Sequence, residues 1–322
     1  MGPDDDQIEL TTKEDVDASD SAVVLVPPQV KSSYLQAVFR LFKAEYLPKM
    51  DSWGTCDGFV SCKFHEFEIK TNIVKMKDRQ LWWNQEIHLA VRLPVVSERL
   101  ILKVWDSDTG GDQIIGAIHF NNRKIQKIGK NVFFWANIYG APIDASGADA
   151  DKANHNPEHG TCWKGRILMQ VDYWETEEPK REITTIAEPL IRQGEKIHKF
   201  KYELLCDIIQ GVMLPENEEY KIQIGIGEHV FEHSDIEGYN NLYLRWNARF
   251  NKKFQNSYAS LKQFPDLFIY LCLGNKRVCY KRLKAKDYGD KNAQLEWIQM
   301  SNDKAVGLVD HPLKAGFILV SF

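Results

Sequence analysis

Long apolar runs are missing: no stretch of the 322 residues approaches the roughly 20 consecutive apolar residues that span a bilayer, so no transmembrane helix is expected. Cationic excess is missing too. Lys and Arg number 41 against 45 Asp and Glu, a formal net charge of −4, and any affinity for nucleic acid or an anionic surface has to come from a local patch. The opening residues are acidic rather than basic and then apolar, so no secretory signal is expected unless a piece is missing. The cysteines (Cys56, Cys62, Cys162, Cys206, Cys272, Cys279) form no C-x-x-C pair, and several sit in apolar strand-like runs, as buried thiols of a reducing cytosol do. No G-x-S-x-G, P-loop or dinucleotide fingerprint occurs. A catalyst, a nucleic-acid partner and a small-molecule substrate are therefore not expected.

Strand signals fill most of the remaining sequence. "YLQAVFRLF", "GFVSCKF", "QEIHLAV", "RLILKVW", "IIGAIHF" and "GRILMQVDYW" are rich in β-branched and aromatic residues and separated by Gly, Asp or Pro turns. The pattern predicts an all-β chain. An internal repeat goes further: "LFKAEYLP", "GFVSCKF", "RLILKVW", "GRILMQV" are followed, in loosely matching order, by "LLCDIIQGVMLP", "EYKIQIGIG", "DLFIYLCL", "GFILVSF". Two tandem antiparallel β-sandwiches are expected. The acid-rich residues 1–22 read as a disordered leader, 23–178 as the first domain, 179–194 as a charged, proline-bounded linker, and 195–322 as the second domain. The insert "YGAPIDASGADADKANHNPEHGT" within the first domain reads as a polar, mobile loop. The opening "MGP" and the strand-like ending "KAGFILVSF" lead us to expect a piece of a longer chain.

Two acid-bearing turns carry the first functional signal. "KMDSWGTCDGF" holds Asp51 and Asp57, and "DSDTGGD" holds Asp106, Asp108 and Asp112. In a sandwich, the loop after the first strand and a later inter-strand loop meet at one end. Carboxylates gathered there repel one another and call for a cation. Calcium fits, because it takes about 6–8 oxygen ligands in irregular geometry. The blander reading is that each aspartate caps a turn through its own side chain.

These residues resemble the C2 domain: "YLPKMDSWGTCDGFV" and "VWDSDTGGDQIIG" match its first and third calcium loops. The resemblance implies calcium ligands at Asp51, Asp57, Asp106 and Asp108. The fifth position does not align, since Gln113 precedes "IIG" and Asp112 stands one place early. Beyond the generic fold, "FRLFKAEYLPKMD", "WWNQEI", "FWANIYGAP", "WKGRILMQV" and "GNKRVCYKRL" resemble the ferlin family, over roughly residues 23–322. Ferlins commonly carry a helical segment between the two halves; nothing comparable lies between "LYLRWNARF" and "FPDLFIYL", as in a short or divergent double-C2 protein. The family is one of large tail-anchored proteins acting in calcium-linked vesicle fusion. It implies two sandwiches of C2 type with the second degenerate, calcium as cofactor, an anionic phospholipid membrane and fusion-machinery proteins as partners, and a cytoplasmic, membrane-peripheral location.

On this reading Trp53 and Met50 enter the headgroup zone once calcium cancels the loop charge; packing of Trp53 on its own sandwich end is the alternative. Lys70, Lys75, Lys77 and Arg79 lie along the strand that C2 domains often turn to phosphoinositides. Lys276, Arg277, Lys281 and Arg282 form a second basic run, either a lipid contact or a charged edge strand that discourages aggregation. Two further readings stand beside the calcium module. One is a calcium-independent interaction scaffold. The other is a zinc peptidase at "HVFEH" (His229, Glu232, His233), which requires a helix where the flanking "KIQIGIG" and "SDIEGYNN" predict a strand and a turn. "HNPEHGTC" (His155, His159, Cys162) reads as accidental spacing in a loop.

Overall fold

The computed structural model describes residues 33–322, except 51–55, 65–66, 93–98, 122–131, 188–196, 215–218, 240–242, 259, 290–293 and 305–314. The expected leader at 1–22 lies outside the described residues. Residues 33–322 form one compact unit, almost wholly antiparallel β-structure.

The first half comprises β1 (Tyr34–Glu45), β2 (Asp57–Phe64), β3 (Phe67–Lys70), β4 (Val74–Lys75), β5 (Gln80–Arg92), β6 (Arg99–Asp106), β7 (Gln113–Asn121), β8 (Phe133–Gly140), β9 (Cys162–Thr176) and β10 (Glu182–Thr185). These strands form two facing layers, β10-β5-β1-β9-β8 and β7-β6-β2-β3, joined at one pair, Ala117 and Tyr139. The layers close on a core that alternates along each strand: Phe39 and Leu41 of β1, Ile167 and Met169 of β9, Leu102 and Val104 of β6, and Val60 of β2.

The second half comprises β11 (Phe200–Val212), β12 (Lys221–Ile226), β13 (His229–His233), β14 (Gly238–Tyr239), β15 (Tyr243–Asn256), β16 (Leu267–Leu273), β17 (Lys276–Leu283), β18 (Leu295–Gln299), β19 (Ser301–Asn302) and β20 (Phe317–Ser321). Its layers are β14-β15-β11-β20-β18 and β13-β12-β16-β17-β19. Trp246 is fully buried in this core, and its indole N–H donates to the Tyr220 carbonyl at 2.8 Å. All six cysteines are free and buried, as the composition predicts.

The two cores are not independent. A register shift between Leu41 and Lys43 of β1 makes Phe42 an extra residue against β9, while on the other side β5 carries the extra residue, Trp83 and Asn84 standing opposite Phe42. Odd-numbered residues before it face the first core and Ala44 after it does, so Phe42, 1% exposed, turns outward into the second core beside Trp135 and Leu168. Strands β1, β8 and β9 are therefore buried on both faces.

Arg166 sits at the centre of the seam, 2% exposed. Its guanidinium donates to Glu45 Oε2 at 2.8 Å and to Asn256 Oδ1 at 2.8 Å, and lies 4.0 Å from the Trp135 ring centroid and 4.8 Å from that of Tyr258. Glu45 comes from the first half; Asn256 and Tyr258 come from the second. Tyr258 donates to Asn137 Oδ1 at 2.6 Å, and the backbone N–H of Asp266 donates to the Tyr139 hydroxyl at 2.8 Å.

Two segments depart from the sequence-based expectations. The insert after β8 is ordered, with α1 (Ala148–His155) and a 3-10 turn at Pro157–His159. Ala150 and Ala153 pack on Ala141, and Asn154 accepts from the Ala141 N–H at 2.8 Å. Small buried alanines leave almost no hydrophobic period to read, which is why the helix is hidden. Part of the expected linker is the edge strand β10, paired with β5, while Gln36 bonds the backbone of Lys180 in both directions.

Removing Arg166 takes one of two cations from Glu45, leaving it to Lys43 alone, a loss of up to about 3 kcal/mol, at the low end for broken buried pairs. We expect urea unfolding of the wild type to be a single transition by both near- and far-UV circular dichroism, and Arg166→Met to lower or split it. Two separate transitions in the wild type would show that the halves fold independently.

Candidate functional site

Strands β2 and β6 are neighbours, and their register places Gly58 opposite Asp106. Asp57 opens β2 and Asp106 closes β6, so the two acids meet at one end of the sandwich. The Asp57 N–H donates to Asp106 Oδ1 at 2.7 Å, and the Ser107 N–H donates to the Asp57 carbonyl at 2.8 Å. Behind them, the Trp83 indole donates to the Gly58 carbonyl at 3.1 Å, and Met76 N–H donates to the carbonyl of buried Cys56 at 2.9 Å. A Cβ at Gly58 would lie 2.2 Å from Leu81 Cδ1, so any side chain there would have to displace the fully buried Leu81. The tip is thus held from beneath by the core.

The acids differ in environment. Asp106 is 1% exposed; Asp57 is about one-third exposed, with Lys75 Nζ 4.0 Å from its Oδ2. Asp108 and Asp112 are exposed on the connecting turn, where the Gly111 N–H closes back on the Asp108 carbonyl at 3.1 Å and Thr109 donates to Asp108 Oδ1 at 3.2 Å. Asp51 and Trp53 lie outside the described residues. Among the described residues no three His, Cys, Asp or Glu side chains close on one point. What is assembled is a carboxylate pair, one member deeply buried and aimed by a backbone N–H, beside two exposed acids. This donor set is all oxygen and suits a hard cation rather than a thiophilic one.

Met50 is half-buried and packs against the first core, so protein already engages the side chain assigned above to membrane insertion. Lys70, Lys75, Lys77 and Arg79 are exposed, and of the four Lys75 stands beside the acid pair, 4.0 Å from Asp57. Lys77 and Gln80 close a two-residue hairpin with Asp78 at φ 53° and Arg79 at φ 60°, a left-handed pair that matches the strand twist. In the second basic run, Lys276 is exposed and Lys281 half-buried. Arg282 is different: it pairs with Asp266 at 2.6 Å, donates to the Pro157 and Gly160 carbonyls and lies 3.8 Å from the Tyr139 ring centroid. It is a strut between the halves, and its assignment to lipid is corrected on that ground. The "HVFEH" segment is strand β13, which puts His229 and His233 on no common helical face.

Residues 36–137 match the family model of the C2 domain, which includes the acid pair. The chain is C2-like over that segment. It is also ferlin-like: it is 22% identical to mouse myoferlin over 245 residues, 64% of this chain, and 24% identical to Ferlin 2 of Tetrahymena thermophila over 208 residues, 59% of this chain. It spans 12% of the length of these relatives. Among solved structures, the calcium-bound pair of C2 domains of extended-synaptotagmin 2 aligns over 89% of this chain and 95% of its own, at 12% identity and a TM-score of 0.33.

The contrast between a buried and an exposed acid is measurable without any metal. In chelator, Asp106→Ala removes the acceptor of the Asp57 N–H and should cost about 1–3 kcal/mol in urea unfolding. Asp108→Ala, on the exposed turn, should stay within about 0.5 kcal/mol of wild type. Equal costs would contradict the asymmetry.

Proposed function

We propose that this chain is a calcium-responsive, phospholipid-binding module of a membrane-trafficking protein, without catalytic activity of its own. The observation that carries the reading is the Asp57–Asp106 juxtaposition at the end of the sandwich that matches the C2 family. Asp57, Asp106 and Asp108 would hold the ion, with Asp51 supplied by the preceding loop and Asp112 at the margin. The bound ion supplies positive charge and open coordination positions for lipid phosphate.

The protein's own residues set the conditions for that step. Before calcium, the acids repel an anionic bilayer; Lys75 beside them and the exposed Lys70, Lys77 and Arg79 attract it, at about 1 kcal/mol per well-placed cation. The balance at the tip decides docking. Neutralising the acids tips it toward the membrane, which is the logic of an electrostatic switch. The ferlin resemblance extends this to vesicle fusion or exocytosis, with the chain peripheral on the cytoplasmic face of a membrane. A second reading, a calcium-independent interaction scaffold, is favoured by the lack of a three-donor cluster among the described residues.

Sedimentation with phosphatidylserine-containing vesicles separates the two. Calcium should raise the bound fraction, chelator should reverse it, and Asp106→Asn with Asp108→Asn should weaken the calcium response at least about tenfold. Vesicle binding that ignores chelator and the double substitution would instead establish the scaffold.

A further inference from the structure

Outward-facing residues of β9 line the seam, and two cations there have opposite fates. Arg166 meets Glu45. Lys164, two residues earlier, is 5% exposed; its ammonium is not among the fully enclosed polar atoms and faces the cleft, and among the described residues no hydrogen bond or ion pair closes on it. Facing it from the second half is Arg277 of β17, half-buried, with its guanidinium 4.1 Å from the Tyr270 ring centroid and no carboxylate in ion-pair range among the described residues. The two line a single cleft of about 470 Å³, together with the amides of Gln223 and Asn275, the indole of Trp163 and the exposed carboxylate of Asp144.

Among the lining residues two cations stand against one exposed acid, Asp144, while the buried Asp303 carboxylate lies behind the wall, where its charge is felt by Cys162 and Tyr270. Burial lowers the proton affinity of Lys164, with a further lowering from Arg277 opposed by Cys162 and Asp144. Chains do not usually hold a lysine this deep without a partner. An anion in the cleft removes both the repulsion and the unmet donors. A phosphate group suits the donor set: its oxygens can take the guanidinium in a bidentate fork, the ammonium as a point charge, and the two side-chain amides. The volume exceeds one phosphate, and Trp163 offers a flat wall for the body that carries it.

We infer that the seam cleft between Lys164 and Arg277 is a binding site for a phosphate-bearing small molecule or headgroup, separate from the acid tip and dependent on both halves. Because it uses no tip acid, it needs no calcium and stands whether or not the proposed switch is right.

Calorimetric titration of the whole chain in chelator tests this, with inorganic phosphate and inositol 1,4,5-trisphosphate as probes. A single saturable site is expected for the trisphosphate, weakened at least tenfold by Arg277→Gln and by Lys164→Met, and unchanged by Asp106→Asn. Arg277→Gln is the decisive variant if Lys164→Met fails to fold. Vesicles carrying phosphatidylinositol 4,5-bisphosphate, also in chelator, separate the sources. Sedimentation that Arg277→Gln weakens supports a lipid headgroup in the cleft; binding of the soluble probe alone supports a free phosphate compound. The inference is overturned if neither soluble probe gives saturable heat, or if both substitutions leave the affinity unchanged.

Discussion

The guanidinium of Arg166 is the contact on which the rest of the architecture depends. It lies between two β-sandwiches, out of water, with Glu45 on one side and Asn256 and Tyr258 on the other, roofed by Trp135. Taking an arginine out of water costs several kcal/mol, and a lone carboxylate seldom compensates. Here it also has an amide oxygen and aromatic faces worth up to about 2 kcal/mol each when desolvated. Glu45 has a second cation, Lys43, on its other oxygen at 2.6 Å, so one carboxylate organises two buried charges. Such an arrangement is unforgiving of geometry. It fixes how the second sandwich meets the first.

That geometry traces back to one inserted residue. Without the bulge at Phe42, β1 would keep its alternation to the end, and Glu45 would point into the first core instead of the seam. The same strand leads directly into the loop that contains Asp51. Seam and tip are therefore consecutive along the chain: Glu45 is held by Arg166, Leu47 returns to the first core, and Met50 packs against it. The root of the acid-bearing loop is braced by the second sandwich, although that sandwich contributes no acid of its own to the tip. The second sandwich thereby has a mechanical part in holding the acid-bearing loop.

Legibility in the sequence follows the physics of each feature. Asp57 and Asp106 can be paired because a strand's end is marked by the switch from alternating apolar residues to turn chemistry, and neighbouring strands must end together. The strands themselves announce their period. The seam does not: Phe42, Trp135 and Leu168 look like ordinary strand residues, and only the fact that β1, β8 and β9 are apolar on both faces hints at a second covering layer. Arg282 reads as a surface cation because charge runs show no depth, whereas its partners Asp266, Pro157 and Gly160 lie in distant segments. The helix Ala148–His155 escapes because alanine fills its buried stripe, and alanine carries little hydrophobic signal.

Depth alone does not tell a structural cation from a ligand-poised one; the partner does. Arg282, Lys43 and Arg166 each face a carboxylate within 2.8 Å, so their charge is closed within the protein and their role ends at holding the halves together. Lys164 and Arg277 occupy the same seam, at comparable or lesser depth, and among the described residues close on no acid. If the seam existed only for adhesion, apolar residues would serve at these positions, as Phe42 and Leu168 do, because a lysine whose stem is buried and whose ammonium meets no acid adds little to the association it sits in. Its retention in a cleft open to solvent is understandable when the missing counter-charge arrives from outside. The two halves then have a reason to be joined beyond mutual burial: the site exists only at their junction.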